Sequence, residues 1–170
     1  MLYSSHDVGP AGISRMVAAP NLMRRVPLKL RDRIRTRAVR PAGSPWLQAR
    51  LKDVTLTTGR YVTAASANGA AKLTLNDGSR RECDHVLLGT GYAVDVRRYG
   101  FLAPELVRHL DLMDGYPRLG SGLTSSVPGL HFIGAPAART FGPLLYFVAG
   151  TEFASRHLAS YIARNVPARR

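Results

Sequence analysis

The groups in this chain best placed to do chemistry are backbone groups rather than side chains. Two short apolar runs end in glycine. Residues 85–88 lead into Gly89-Thr90-Gly91-Tyr92, and residues 130–133 lead into Gly134-Ala135. A third glycine opens Gly142-Pro143-Leu144, ahead of a long amphipathic stretch. Glycine at the end of a buried strand lets the backbone approach a bound molecule, because no β-carbon intervenes. In doubly wound sheets, ligands sit at these carboxyl ends. A helix beginning after such a turn adds free N–H groups and a partial positive charge. The chemistry that fits is a cofactor held by backbone, with no side chain named as acid or base.

Side chains of the usual catalytic types are not arranged for work. Cys83 is the single cysteine, which excludes an intramolecular disulfide and a cysteine-based metal cluster. Asp84 lies beside it, but no paired histidine or helix start is there to activate the thiol. His6, His109 and His157 have no partner at metal-ligand spacing, and His85 and His131 read as structural residues at strand starts. Nothing resembles a Ser–His–Asp arrangement or a paired-carboxylate site. Phe141 and Tyr146 could stack on a ring, with core packing the favoured role. Arg139 reads equally as a phosphate or substrate contact and as a solvated loop arginine.

The elements that must position these turns follow from periodicity and punctuation. Residues 1–22 read as loop, broken by Gly9, Pro10, Gly12 and Pro20, with Asn21 as a helix cap. Apolar residues Leu22, Met23, Val26, Leu30, Ile34 and Ala38 predict a basic helix over 22–40, interrupted or started at Pro27. Residues 54–58, 61–67, 72–75 and 80–83 read as strands. Asn68-Gly69 and Asn76-Asp77-Gly78 turn the last three into an antiparallel β-meander. The runs 85–88 and 130–133 read as buried strands, and residues 104–110 as a short helix. From Gly142-Pro143 a helix is expected, with Leu144, Phe147, Val148, Thr151, Ala154, Leu158 and Ile162 on one face.

Length and composition bound the rest. A chain of 170 residues, 45% apolar and 21% charged, can build one domain or a small domain with an appendage, and wholesale disorder is excluded. The charge of +13 admits a nucleic-acid or membrane-surface partner. No recognised nucleic-acid motif accompanies it, so a nucleic-acid partner is disfavoured, and the basic run 24–40 reads first as a solvated helix face. No apolar run reaches the ~18 residues of a spanning helix, and the N-terminus lacks signal-peptide character, so a cytoplasmic chain with no membrane partner is expected.

The order of these features resembles a known family. The run CDHVLLGTGY is similar to the Asp-x-Val-apolar-apolar-Ala-Thr-Gly-Tyr element of flavin-containing, Baeyer–Villiger-type and N-hydroxylating monooxygenases. The runs SVPGLHFIGAP and FGPLLYFVAGTEFASRHLASYI resemble the C-terminal end of their FAD domain, and the meander resembles the β-insertion ahead of the Ala-Thr-Gly strand. The likeness spans residues 51–164. It implies an α/β fold: the C-terminal lobe of a Rossmann-like FAD-binding domain, with an antiparallel β-meander and a long C-terminal helix.

The resemblance further implies that Gly89, Thr90, Gly91 and Tyr92 line the passage between the FAD and NAD(P)H domains. Gly134 and Ala135 would approach the FAD diphosphate–ribityl region. Gly142, Pro143 and Leu144 would set the last helix against the pyrimidine end of the flavin. Position 89 is Gly where the family usually has Ala. Ala135 stands where related disulfide reductases carry Asp, which favours the monooxygenase side. Residues 1–50 would be a loop and basic helical connector, the tail of the NAD(P)H-side domain, with 51–165 the end of the FAD domain and 166–170 a tail.

The Gly-x-Gly-x-x-Gly fingerprint that grips a dinucleotide occurs nowhere in the chain; the nearest runs, GTGYAV and GSGLTS, lack the third glycine. The expectation is therefore a truncated oxidoreductase, inactive alone, whose N-terminal half resides elsewhere. In the complete enzyme, NAD(P)H would reduce FAD, and O2 would be used to hydroxylate a small organic substrate. The alternatives are an inactive remnant that associates with a partner chain and a basic nucleic-acid-binding protein.

Overall fold

Proline and glycine cut the N-terminal third into short helices rather than one. The computed structural model describes residues 8–40 and 43–165. His6 and the tail 166–170 lie outside the described residues. Helix α1 covers Ser14–Val17, α2 Pro20–Arg25 and α3 Leu28–Ala38. The expected loop over 1–22 is corrected for its described second half. Pro20 does not break the chain but starts α2, where its missing N–H goes unneeded and its fixed φ suits a helix. Asn21 lies inside α2 rather than capping it. Its side-chain amide nitrogen is 3.0 Å from His157 Nε2. Pro27 stands as the residue before α3, so the basic helix is divided there as the sequence indicates.

Of the described residues, 8–40 and 93–165 form one unit, and 43–92 form the other. The first unit is therefore assembled from two separated stretches of chain. Its C-terminal stretch supplies α5 (Pro104–Arg108), a small hairpin of β4 (Leu112–Met113) and β5 (Tyr116–Pro117), α6 (Ala138–Phe141) and α7 (Gly150–Asn165), joined by 3-10 turns. Met23, Phe141, Leu123, Leu144, Val17 and Val96 are fully buried at its centre. The β4–β5 hairpin, not anticipated from the sequence, turns at Asp114-Gly115. Both residues take positive φ, 52° and 83°, as tight hairpin turns demand.

The second unit holds α4 (Leu47–Arg50) and the sheet β1 (Val62–Asn68), β2 (Ala70–Leu75) and β3 (Arg80–Cys83), in the order β1-β2-β3. Both pairings are antiparallel, with a register shift between Val62 and Ala64. The expected β-meander is present. Gly69 and Gly78 take φ of +83° and +82° at its turns. Every residue of β1 is exposed, while β2 is mostly half-buried and ends in buried Leu75.

The protein is thus a mixed helix-and-sheet chain with a three-stranded antiparallel sheet and a C-terminal helix. Three expected strands are corrected. Residues 54–58 and 85–88 are outside any ladder, and residues 130–133 make only an isolated antiparallel bridge, Thr124 to His131. The stretch opposite that bridge is a 3-10 turn whose Gly122 and Leu123 have φ of 66° and 59°, a geometry no ladder can extend. Apolar, β-prone residues become strands only where a neighbouring strand accepts their hydrogen bonds. No helix among the described residues is long and apolar enough to cross a membrane.

Candidate functional site

The second glycine turn borders a small apolar cleft. Phe132 N–H donates to the Leu123 carbonyl at 3.1 Å, and the chain then reaches Gly134. Gly134 adopts φ 68°, ψ −144°, a region that side chains with a β-carbon rarely enter. Among the described residues, no atom lies within 4 Å of where its β-carbon would be. The glycine is needed for its backbone conformation, and the space before it stays open. Ala135 starts the 3-10 turn Ala135–Ala137, which runs into α6.

The expected helix start at Gly142 is corrected. Pro143–Tyr146 is a 3-10 turn, and Phe147 is extended at φ −115°, ψ 156°, so α7 begins eight residues later at Gly150. Gly142 takes φ 98°, and a β-carbon there would lie 2.9 Å from Met23 Cγ. Pro143 and Leu144 are buried core residues. Phe147 and Val148, expected on the buried helix face, lie outside the helix and are exposed. At Gly150 the chain folds back so tightly that a β-carbon would stand 2.6 Å from the Leu144 carbonyl oxygen. Sequence reasoning missed Gly150, although Gly-Thr-Glu is a recognisable helix start with an acid in the first turn.

Gly134 and the start of α7 meet in one cleft of about 240 Å³, lined mainly by Ile133, Leu145, Phe147, Thr151, Ala154 and Leu158. Its walls are mostly apolar. The volume is below the ~300–1,000 Å³ of complete ligand pockets, so the cleft suits part of a flat molecule rather than a whole dinucleotide. The N–H groups of Gly150 and Thr151 donate to the carbonyls of Phe147 and Val148, each at 2.9 Å. What α7 offers the cleft is therefore chiefly its dipole. Apolar walls and an open glycine fit the ring portion of a flavin. Contacts for the diphosphate are not supplied by this cleft.

The first glycine turn belongs to the other unit. Gly89, Thr90, Gly91 and Tyr92 form an exposed segment outside any helix or strand, with Gly91 at φ +78°. Leu87 is 95% exposed, and Tyr92 is wholly so. Gly134, Ala135, Gly142, Pro143 and Leu144 lie in the first unit, and within it the structure brings Gly134 to the cleft while Pro143 and Leu144 serve the core.

Other candidates resolve as structural. Phe141 is buried, its ring centroid 5.6 Å from that of Phe153. The Tyr146 hydroxyl pairs with that of Tyr116 at 2.7 Å, and burial, reinforced by this hydrogen bond, pushes its pKa up to about 12. Arg139 is not a solvated loop residue. It is buried in α6 and ion-paired with Asp32 and Asp114. His157 Nδ1 contacts the Phe153 carbonyl, and its ring stacks on that of Phe153 at 3.9 Å. Cys83 is half-buried, its Sγ 3.9 Å from the Ala71 carbonyl oxygen. Among the described residues, no three His, Cys, Asp or Glu side chains group as a metal site. Compared with protein-family models, curated proteins and solved structures, the chain matches none.

Proposed function

We propose that this chain is the C-terminal part of an FAD-dependent, NAD(P)H-using oxidoreductase of the monooxygenase type, built on a Rossmann-like FAD domain completed by another polypeptide segment. One observation carries the reading. Gly134, open in front and held at φ 68°, shares an apolar cleft with the start of the sixteen-residue helix α7. FAD, when bound, supplies hydride acceptance from NAD(P)H and reaction with O2. The chain's own residues do the holding. Ile133, Leu145 and Leu158 exclude water from the ring, Gly134 admits it against the backbone, and the positive end of α7 favours negative charge there.

The test is a titration of the full chain against FMN, followed by flavin fluorescence. Weak, saturable quenching is expected, and Thr151→Trp, which fills the cleft from an exposed helical position, should abolish it. No saturable quenching at millimolar protein, or unchanged quenching in Thr151→Trp, would overturn the reading.

A second reading is a folded remnant that docks on a partner chain. It is favoured by the exposed run Val86, Leu87, Leu88 and Tyr92. Colourless protein that fails the FMN titration, yet forms a defined complex with one polypeptide, would support it instead.

A further inference from the structure

Away from the cleft, three arginines converge where α3 meets α6. Arg139 is their centre and is only 9% exposed. Its Nη1 donates to Asp32, and its Nη2 donates to Asp114 Oδ2 at 2.7 Å. Arg31 Nη1 donates to the Thr140 carbonyl, and Arg35 Nε lies 3.6 Å from Asp32 Oδ1. Three guanidiniums thus face two carboxylates. The Nε–H groups of Arg31, Arg35 and Arg139 are all buried, and none has a hydrogen-bond acceptor among the described residues. Burial and the like charge of Arg139 hold the Arg31 guanidinium below its ordinary range, with Asp32 only partly opposing.

A single buried donor without an acceptor is unusual, and three of one charge type in one cluster point to an acceptor that the described residues do not supply. An anion suits that place best, because three guanidiniums face two carboxylates and leave one positive charge in excess. It must also offer several oxygens, since the free donors sit on three separate, planar groups. A tetrahedral oxyanion meets both conditions, and arginine forks match phosphate oxygens in geometry. Access exists at the rim, where the Asp114 side chain is 71% exposed and the Arg35 side chain 30%. Asp114 occupies Arg139 Nη2 from that open side, so its carboxylate is the one an incoming anion can displace.

We propose that Arg31, Arg35 and Arg139 form a binding site for a phosphate-type oxyanion, either free phosphate or the phosphate end of a larger ligand. The site stands apart from the flavin cleft and does not depend on it. Thermal unfolding of the full chain with inorganic phosphate, against chloride at matched ionic strength, tests it. A saturable rise in Tm with phosphate alone is expected. A phosphomonoester such as glycerol phosphate, run in parallel, tells the two sources apart: a matching rise means the site takes an ester's phosphate end, and a rise with phosphate only means the free ion.

Arg35→Gln leaves Asp32 paired with Arg139, its fold is checked against the parent by circular dichroism, and it should weaken phosphate binding about tenfold. Arg33→Gln makes the same charge change on an exposed position of α3 outside the cluster and should leave binding unaltered. A rise that chloride reproduces, an Arg35→Gln variant that binds as the parent does, or an equal loss in Arg33→Gln would each overturn the proposal.

Discussion

Gly122 and Gly134 have nearly the same φ, 66° and 68°, for opposite physical reasons. Gly122 is pressed against Tyr161 of α7, and any β-carbon there would fall inside the ring's van der Waals surface. Gly134 faces open space. Alanine at 134 pays only for a backbone at φ 68°, ψ −144° that glycine alone enters readily, about 1–3 kcal/mol. Alanine at 122 adds overpacking and should cost roughly 2–3 kcal/mol. Denaturant unfolding of Gly122→Ala and Gly134→Ala separates the two. A smaller loss in Gly122→Ala than in Gly134→Ala would contradict the close contact of Gly122 with Tyr161. A glycine's role is therefore read from what stands before it as much as from its dihedral angles.

At the scale of elements, the turn between β2 and β3 is tied by one carboxylate. Asp77 Oδ1 accepts from the Ser79 amide at 3.0 Å and the Ser79 hydroxyl at 2.7 Å, and Oδ2 accepts from Arg60 Nε at 2.6 Å. The Ser79 bonds, then Arg60, bring its pKa from 3.8 down to about 2. A carboxyl group lowered on folding stabilises the fold fully above its unfolded pKa and loses that effect as pH falls through the folded value. The Asp77 contribution should hence be complete above about pH 4 and fade towards pH 2, with an NMR carboxyl midpoint near about 2. A midpoint near 3.8 would show that the turn is not tied in solution. This hairpin was legible because Asn68-Gly69 and Asn76-Asp77-Gly78 state their turns locally. The helix after Pro27 was legible for the same reason. The runs 85–88 and 130–133 were not, since β-character depends on a neighbour elsewhere in the chain. The start of α7 was misplaced because Gly142-Pro143 carries a helix-start signal that a 3-10 turn satisfies equally. Of the candidate site, the glycine at 134 was visible in sequence. Leu145 and Gly150 were not, because a tertiary reversal brings them to it.

At the scale of the whole molecule, a charge of +13 coexists with exposed Val86, Leu87, Leu88, Phe101 and Val148. Repulsion between like-charged chains resists association at low salt, and screening removes that resistance. Self-association should therefore rise with salt and fall in a Leu87→Ser, Leu88→Ser double variant. Light scattering reads both effects, and association indifferent to the two serines would place the sticky surface elsewhere. The division of the first unit into 8–40 and 93–165 has a consequence for biosynthesis. Asp32 leaves the ribosome 107 positions ahead of Arg139, the buried group it pairs with across the fold. At ~5–20 residues per second, the apolar faces of α2 and α3 wait about 5–20 s for their partners. The hairpins of 62–83, whose contacts are local, can close within that interval. During those seconds the nascent chain presents Met23 and Ile34 to whatever surrounds it, which is the stage at which a chaperone has most to do.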